Sequence, residues 1–578
     1  MRILIIGGYG VFGSRLVELL ADRADLTLII AGRSLERAEA LTARTQAEAT
    51  LVPAVIDRNG DLVGQFALHT PKLIVDASGP FQNYGSDPYK VVEAAIELGI
   101  NYLDLADGSD FVRGITAFDD RAKQNGVYVL AGASSFPVLT AAVVRHLAYD
   151  LERVETITAG IAPSPYAGIG LNVIRAIASY AGKPVRLTRE GRPSLCYGLT
   201  EARRYTIAPP GKMPLDNRLF SLVDAPELQL LPDVWPGVRS VWTGAGPVPA
   251  ILHRLLITMS WAVRLRLLPS LAFGAPLFHW AINRIRWGEH RGGMFVEIEG
   301  IDRLGHRSTR SWQMLAEGND GPYIPSMAIA AIVGKGLAGE WPTPGARTAI
   351  NALEVENYED VFRGRRISYG VRDDTERNAD RPLFHFILGR SWEALPEPVR
   401  AVHDVTDGVM RSNGTAEVRR GRNLMSRLVG GLFGFPKAAQ SIPVSVEMRA
   451  EGTRETWIRQ FGTQQFKSTL YPGSGRSDRL INERFGVFEF SMALVLIGER
   501  LEFVVRRWKF LGLPLPLALA PRVETHETAE DGQFRFNVEI RLPIFGLLVH
   551  YRGHLTPEIR DGDAAAPALD TGNRKAIA

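Results

Sequence analysis

The stretch 1-MRILIIGGYGVFGSRLVELLADRADLTLIIAGRS-34 decides the fold. Arg2–Ile6 is a short isoleucine-rich run bounded by glycine, the pattern of a buried parallel strand. Gly8, Gly10 and Gly13 follow in G-x-G-x-x-G spacing, with Tyr9, Val11 and Phe12 between them. Ser14–Ala21 then carries apolar residues at helical spacing, and Leu26–Ala31 is a second apolar run. Strand, glycine turn, helix and strand form the context in which this spacing signals a dinucleotide site. Gly8 is expected to permit the tight turn, Gly10 to admit a pyrophosphate to the backbone, and Gly13 to let the helix pack closely. The helix start would offer free N–H groups and a positive dipole end to the phosphates.

The end of the second run indicates which dinucleotide. A site for NAD usually has Asp or Glu there, about 20 residues past the glycines, on the ribose hydroxyls. This chain reads Ala31-Gly32-Arg33-Ser34. A guanidinium fork at Arg33, with Ser34 beside it, suits a 2′-phosphate and hence NADP(H). The plainer reading makes Ser34 the cap of a helix over Leu35–Thr45 and leaves Arg33 in solvent. The two readings are compatible.

Outward from this core, the chain has 578 residues, too many for one hydrophobic core and enough for about two to four domains. Its 67 basic and 63 acidic side chains nearly balance, and no nucleic-acid-binding motif is present, so nucleic acid is not an expected partner. The single Cys196 rules out an internal disulfide and suits a reducing compartment. The apolar run Ile3–Ile6 is too short for a signal peptide, so a cytoplasmic location is expected. There is no H-E-x-x-H, no paired C-x-x-C and no P-loop, and the 11 histidines are scattered, so no metal site is expected.

Further strands are expected at Leu51–Asp57, with Asp57 near an adenine, and at Leu73–Ala77, followed by the loop Ser78-Gly79-Pro80-Phe81-Gln82-Asn83-Tyr84-Gly85. Ligands of open α/β sheets sit at such carboxyl ends, near the topological switch. Asn101–Leu105 and Val127–Leu130 continue the strand pattern, the latter leading into Ser135-Phe136-Pro137. Residues 1–151 read as a Rossmann domain. Residues 152–320 read as an inserted α+β substrate domain, and 321–370 return to complete the first. Within the insertion, Val248–Trp287 is unusually apolar but is broken by Arg254, Arg264, Arg266, Arg284, Arg286, Pro269 and Pro276. A bilayer span needs about 20 uninterrupted apolar residues, so this is not a transmembrane helix. Two readings remain: core or homodimer surface, or a pair of interfacial amphipathic helices giving peripheral membrane contact. Residues 371–392 read as a polar linker. Residues 393–557 open with a helical run, Pro396–Asp407, and then hold nine β-rich runs from Thr415 to Leu555 with one clear helix among them, Arg422–Phe433, as an antiparallel sandwich or barrel requires. The Ala-, Asp- and Gly-rich tail 558–578 is expected to be disordered.

The motifs Gly7-Gly8-Tyr9-Gly10-Val11-Phe12-Gly13, Ala31-Gly32-Arg33-Ser34, Ser78-Gly79-Pro80-Phe81, Tyr102-Leu103-Asp104 and Ser135-Phe136-Pro137 resemble the saccharopine dehydrogenase-like family of NADP-binding oxidoreductases. The resemblance extends over about residues 1–370. It implies that Ser78, Gly79, Pro80 and Phe81 lie beside the nicotinamide half of the cofactor. The family usually follows Tyr-x-Asp with a Gly-Glu pair, where this chain has Ala106-Asp107-Gly108. Residues 393–557 resemble a C-terminal domain family of unknown function found fused to such halves; the matching features include Gly434-Phe435-Pro436, Trp457-x-Arg459-x-Phe461-Gly462 and Tyr551-Arg552-Gly553. That resemblance implies no chemistry.

Hydride transfer needs the nicotinamide held against an acceptor carbon in a dry cleft, plus a proton donor where the product requires one. Tyr84, Tyr102 and Asp104 are the donor candidates at loop ends. The apolar Val248–Trp287 stretch favours a hydrophobic small molecule over an amino-dicarboxylate. Relatives in the family include enoyl reductases for lipid or polyketide chains, which implies reduction of an enone or carbonyl. The competing reading is a non-catalytic NADP(H)-binding protein whose β domain binds a lipid, a membrane surface or a partner.

Overall fold

The computed structural model describes residues 1–375, 381–406 and 408–558. The chain divides into two compact units, 1–209 with 217–376 and 210–216 with 377–578. The expected disordered tail lies outside the described residues except for Glu558.

The first unit opens with the expected parallel sheet. Its strands are β1 (Arg2–Ile6), β2 (Thr27–Gly32), β3 (Thr50–Val55), β4 (Leu73–Asp76), β5 (Asn101–Asp104) and β6 (Tyr128–Ala131). The order is β3-β2-β1-β4-β5-β6, and Gly345–Thr348 from late in the unit pairs parallel beyond β6. Ile3, Leu4 and Ile5 have no exposed surface, as β1 must when helices cover both faces of a parallel sheet. The order reverses between β1 and β4, so the loops leaving these two strands are neighbours. Ligands of open α/β sheets sit at such a switch point.

The second sheet of this unit orders Ala202–Ile207, Leu215–Leu222, Ser240–Ala245, Leu151–Ala162, Arg291–Asp302, Arg307–Glu317 and Ile367–Asp373. Ser240–Ala245 pairs parallel with Leu151–Ala162. The strand Ile367–Asp373 corrects the expected linker over 371–392. It pairs antiparallel with Arg307–Glu317 and buries Arg372, whose Nε donates to the Ala208 carbonyl at 2.6 Å. A polar run can be a strand when its long side chains find such partners, a long-range fact that local composition does not carry. Leu383–Leu388 within the same stretch is helical. The apolar stretch forms two helices, Ala250–Arg264 and Ala275–Arg284. No helix among the described residues is long and apolar enough to cross a membrane.

The second unit is a closed antiparallel barrel of ten strands. It runs Gly408–Arg420, Ala439–Glu451, Arg454–Phe461, Gln464–Pro472, Ile481–Phe485, Phe488–Ile497, Arg500–Phe510, Arg522–Glu530, Gln533–Leu542 and Gly546–Pro557. Each strand pairs with the next, and the last pairs with the first, so the ring has no open edge. The short strand Ile481–Phe485 had no distinct signal in the sequence. It joins two longer strands and completes the closure.

Candidate functional site

The glycine turn is built from backbone constraints. Gly7 has φ +75°, a left-handed conformation that disfavours any side chain. It, and not Gly8, makes the turn off β1. A Cβ on Gly7 would stand 2.8 Å from Ser78 Cα, so the loops after β1 and β4 touch backbone to backbone. A Cβ on Gly13 would overlap the Gly7 carbonyl oxygen, which fixes glycine where the helix meets the turn. Gly8 is confined for another reason: a Cβ there would lie 2.9 Å from the Ile5 oxygen and 3.0 Å from Ile30 Cγ2. The helix Val11–Leu20 starts at Gly10 with no side-chain cap. Its first amides therefore remain available to an anion, with the positive end of the helix dipole behind them.

Arg33 is exposed at the end of β2, where no carboxylate stands. Ser34 caps the helix Leu35–Arg44 through Arg37 N, and its own N–H donates to Tyr9 Oη at 2.9 Å. Tyr9 lies across Gly32, whose missing side chain makes room for the ring. Asp57 is exposed just past β3 and accepts from Asn59 N at 3.0 Å, so it shapes its own turn. These uncapped amides, the glycine cradle and the basic end of β2 fit a dinucleotide.

The loop after β4 is tied down tightly. Ser78 donates from both N and Oγ to Asp76 Oδ1, at 2.9 and 2.6 Å. The Ser78 and Tyr84 hydroxyls are 2.8 Å apart. Phe81 packs on Tyr84 and Phe111, and the Arg58 guanidinium stacks 3.4 Å from the Tyr84 ring centre. Asn172, from the helix Leu171–Tyr180, donates to the Gly79 carbonyl at 3.1 Å, so the insertion touches this loop directly.

A cavity of about 590 Å³ opens from the glycine turn into the insertion. Val11, Phe12, Ser135 and Phe136 line its Rossmann side, and Leu256 and Phe278 come from the two apolar helices. Its size falls within the roughly 300–1,000 Å³ of small-molecule sites, which share this apolar lining with a few polar groups. The polar groups that matter are Asp107, Asp224 and Tyr180. Asp107 lines the cavity and keeps an exposed surface. Burial raises its carboxyl above the usual range, and the nearby Asp224 charge raises it further. Gln82 Nε2, at 3.1 Å, partly opposes this. Asp224 is likewise raised by burial, against the hydrogen bond from Ser109 Oγ at 2.7 Å. Burial and both carboxylates push Tyr180 far up, so its phenol stays protonated. His253 Nε2 lies 2.7 Å from Ser221 Oγ in the wall, and burial lowers its pKa to about 4, so it is neutral near pH 7.

None of the three donors expected from sequence lines this cavity. Tyr102 is fully buried on β5. Asp104 is also fully buried, and its Oδ1 accepts from Gly132 N and Ala106 N, at 2.6 and 3.0 Å. It anchors the loops after β5 and β6. Tyr84 belongs to the loop after β4. Asp107 is not among the sequence candidates, because Ala106-Asp107-Gly108 departs from the family's Gly-Glu pair; a carboxylate in that loop is the signal that could have found it. Tyr180 and Asp224 gave no local signal, because only the insertion's folding brings them to Asp107.

Residues 3–130 match the family model described as the saccharopine dehydrogenase NADP binding domain, and residues 395–555 match a domain of unknown function, DUF4166. The N-terminal domain is thus of the nicotinamide-dinucleotide-binding kind found in dehydrogenases. Saccharopine dehydrogenase (L-Glu forming) from Saccharomyces cerevisiae is similar at 13% identity, over 64% of this chain and 99% of that one, with a TM-score of 0.45. A myo-inositol dehydrogenase from Corynebacterium glutamicum is 13% identical over 60% of this chain and 91% of its own, with a TM-score of 0.31. The WlbA dehydrogenase from Thermus thermophilus, in complex with NAD and alpha-ketoglutarate, is 12% identical over 59% of this chain and 90% of its own, with a TM-score of 0.28. No curated protein matches the chain.

Proposed function

We propose that the protein is an NADP(H)-dependent oxidoreductase that reduces an apolar enone or carbonyl compound. The observation that carries this reading is the 590 Å³ apolar cavity that begins at the glycine turn and holds two raised carboxyls and a phenol. NADPH bound at the turn would supply a hydride. The chain's own residues do the rest. Val11 and Phe12 place the floor of the cavity against the cofactor loop. Leu256 and Phe278 exclude water, which strengthens each electrostatic contact inside. The Asp107–Asp224–Tyr180 cluster holds a proton, because neighbouring carboxylates disfavour double ionisation and the half-buried Asp224 is already raised. From there a proton can be delivered to the carbanion or alkoxide left after reduction, a role typically worth about 10²–10⁴ in rate. NADP(H) is preferred over NAD(H) because the end of β2 carries Arg33 and no acid.

The reading extends to the source of the substrate. The two apolar helices turn one side to the cavity and leave the other in solvent, including Phe273 just before the second helix (71% exposed) and Trp280 within it (63%). Leu255 and Leu277 line the cavity yet are more than half exposed, so they stand at its mouth. Arg254, Arg264 and Arg284 accompany this surface. An apolar face with arginines suits peripheral docking on an anionic bilayer.

The test is NADPH consumption with a panel of long-chain enones and ketones, for wild type and Asp224→Asn. Turnover with apolar members is expected. Asp224→Asn is expected to lower kcat about 10²-fold or more while leaving the dissociation constant for NADPH unchanged. Wild-type turnover should fall as pH rises through the raised carboxyl pKa, since the active form carries the proton. Tight NADPH binding without turnover across the panel would instead favour a non-catalytic dinucleotide-binding protein.

A further inference from the structure

We infer that the C-terminal barrel is a second ligand site, a cup for a neutral single-chain apolar molecule with one polar end. The argument starts with strand number. About eight strands make a barrel that side chains can just fill, and ten make a wider one. Here the interior keeps a cavity of about 300 Å³, at the lower end of the small-molecule range of about 300–1,000 Å³. Its wall is largely aromatic. Phe433, Phe435, Phe485 and Phe488 form a continuous run of ring contacts, with Phe490 and Trp508 beyond. Such a lining offers water few hydrogen-bonding partners and suits an apolar occupant.

The polar lining is sparse and balanced. Arg459 donates from Nη1 to Ser468 Oγ at 2.7 Å and from Nη2 to Glu483 at 3.2 Å, and its guanidinium stacks 4.7 Å from the Trp457 ring centre. Glu527 pairs with the buried His403 at 2.6 Å. Each basic group faces a carboxylate, so the wall presents no unbalanced positive charge to a free fatty acid. Arg459 carries five N–H donors and uses two in these bonds, which leaves donors for a neutral oxygen such as an alcohol, ester or ketone. The wall continues outward into exposed apolar residues. Leu519 lines the cavity and is 59% exposed, at the end of a strap held where Trp508 Nε1 donates to the Pro516 carbonyl at 2.9 Å. Val429 and Phe433 belong to the short helical segment from Leu424, which exposes Leu424 and Leu428. An apolar chain could pass between these lips without crossing a polar rim. The inference stands apart from the dinucleotide reading, because every residue it uses lies in the second unit.

Full-length protein is titrated with decanol and with decanoate at pH 8 by calorimetry, and with 10-bromodecanol by tryptophan quenching. Val538→Trp fills the barrel cavity, and Leu256→Trp fills the one at the glycine turn. Decanol binding is expected to persist in Leu256→Trp and to weaken at least tenfold in Val538→Trp, with decanoate at least tenfold weaker than decanol. Bromodecanol should quench wild type, and Trp457→Phe/Trp508→Phe should lose that part of the quenching. This arm holds even if Val538→Trp fails to fold. Unchanged decanol binding in a folded Val538→Trp, or quenching indifferent to Trp457 and Trp508, would overturn the assignment. Equal affinity for decanoate would overturn the neutral headgroup.

Discussion

In the proposed function, cofactor choice falls to one side chain, Arg33. It stands exposed at the end of β2 where an acid would contact ribose hydroxyls, and Ser34 beside it is already engaged as a helix cap. Arg33→Ala is therefore expected to weaken NADPH binding about 10- to 100-fold, the value of a charge-assisted phosphate contact, and to change NADH binding less than threefold. Titration with both nucleotides reads the difference directly, and equal losses would remove Arg33 from the phosphate site. The glycines behave differently from one another. Gly13 packs against the backbone of Gly7 and Gly8, where a Cβ has no room. The turn that sequence assigned to Gly8 belongs to Gly7, because the left-handed residue is the one that leaves β1. The catalytic candidates show what a motif leaves out. Asp104 and Tyr102 look chemical on a sequence line, yet both point into the core. Asp107, three residues on, faces the cavity.

At the scale of elements, the helices Ala250–Arg264 and Ala275–Arg284 carry two patterns at once. One side lines the cavity and the other exposes Trp280, with Phe273 just before the second helix, so no single-face reading of their hydrophobicity could succeed. Docking on a bilayer predicts co-sedimentation with phosphatidylglycerol vesicles that weakens at high salt. Phe273→Asp/Trp280→Asp is expected to reduce the bound fraction at least fivefold while retaining NADPH binding, since neither residue lines the cavity. A stable dimer in light scattering, lost in the same variant without any vesicle binding, would reassign the surface to a second copy of the chain. The polar strand Ile367–Asp373 makes the opposite point. Its place in the second sheet rests on pairing with Arg307–Glu317 and on the buried Arg372 bond, and its own composition resembles a linker.

For the molecule as a whole, two buried acids contribute to the response to pH. Burial raises Asp104 to about 7 and Glu227 to about 8; Glu227 accepts from Thr140 Oγ1 at 3.0 Å. The folded state therefore binds protons more tightly than the unfolded chain. This contribution is fully present below the ordinary carboxyl range and is lost as pH rises through about 7 to 8. Urea unfolding followed at pH 5.5 and 8.5 should find the first unit less stable at the higher pH. Asp104→Asn, which keeps the acceptor for Gly132 and Ala106, should flatten that difference, and an unchanged difference would exclude Asp104 as its source. The sequence by itself determined the parallel Rossmann sheet, the dinucleotide-binding signature and the antiparallel β character of the last domain, because each rests on local periodicity and on glycines a few residues apart. It left sandwich against barrel open, because closure depends on Gly546–Pro557 reaching Gly408–Arg420 across the whole domain. Only the tertiary structure brought Asp107, Asp224 and Tyr180 to one apolar cavity and left a second cavity inside the barrel. Burial and mutual repulsion, which raise the proton affinity of ordinary carboxyls, exist only between residues that folding has brought together.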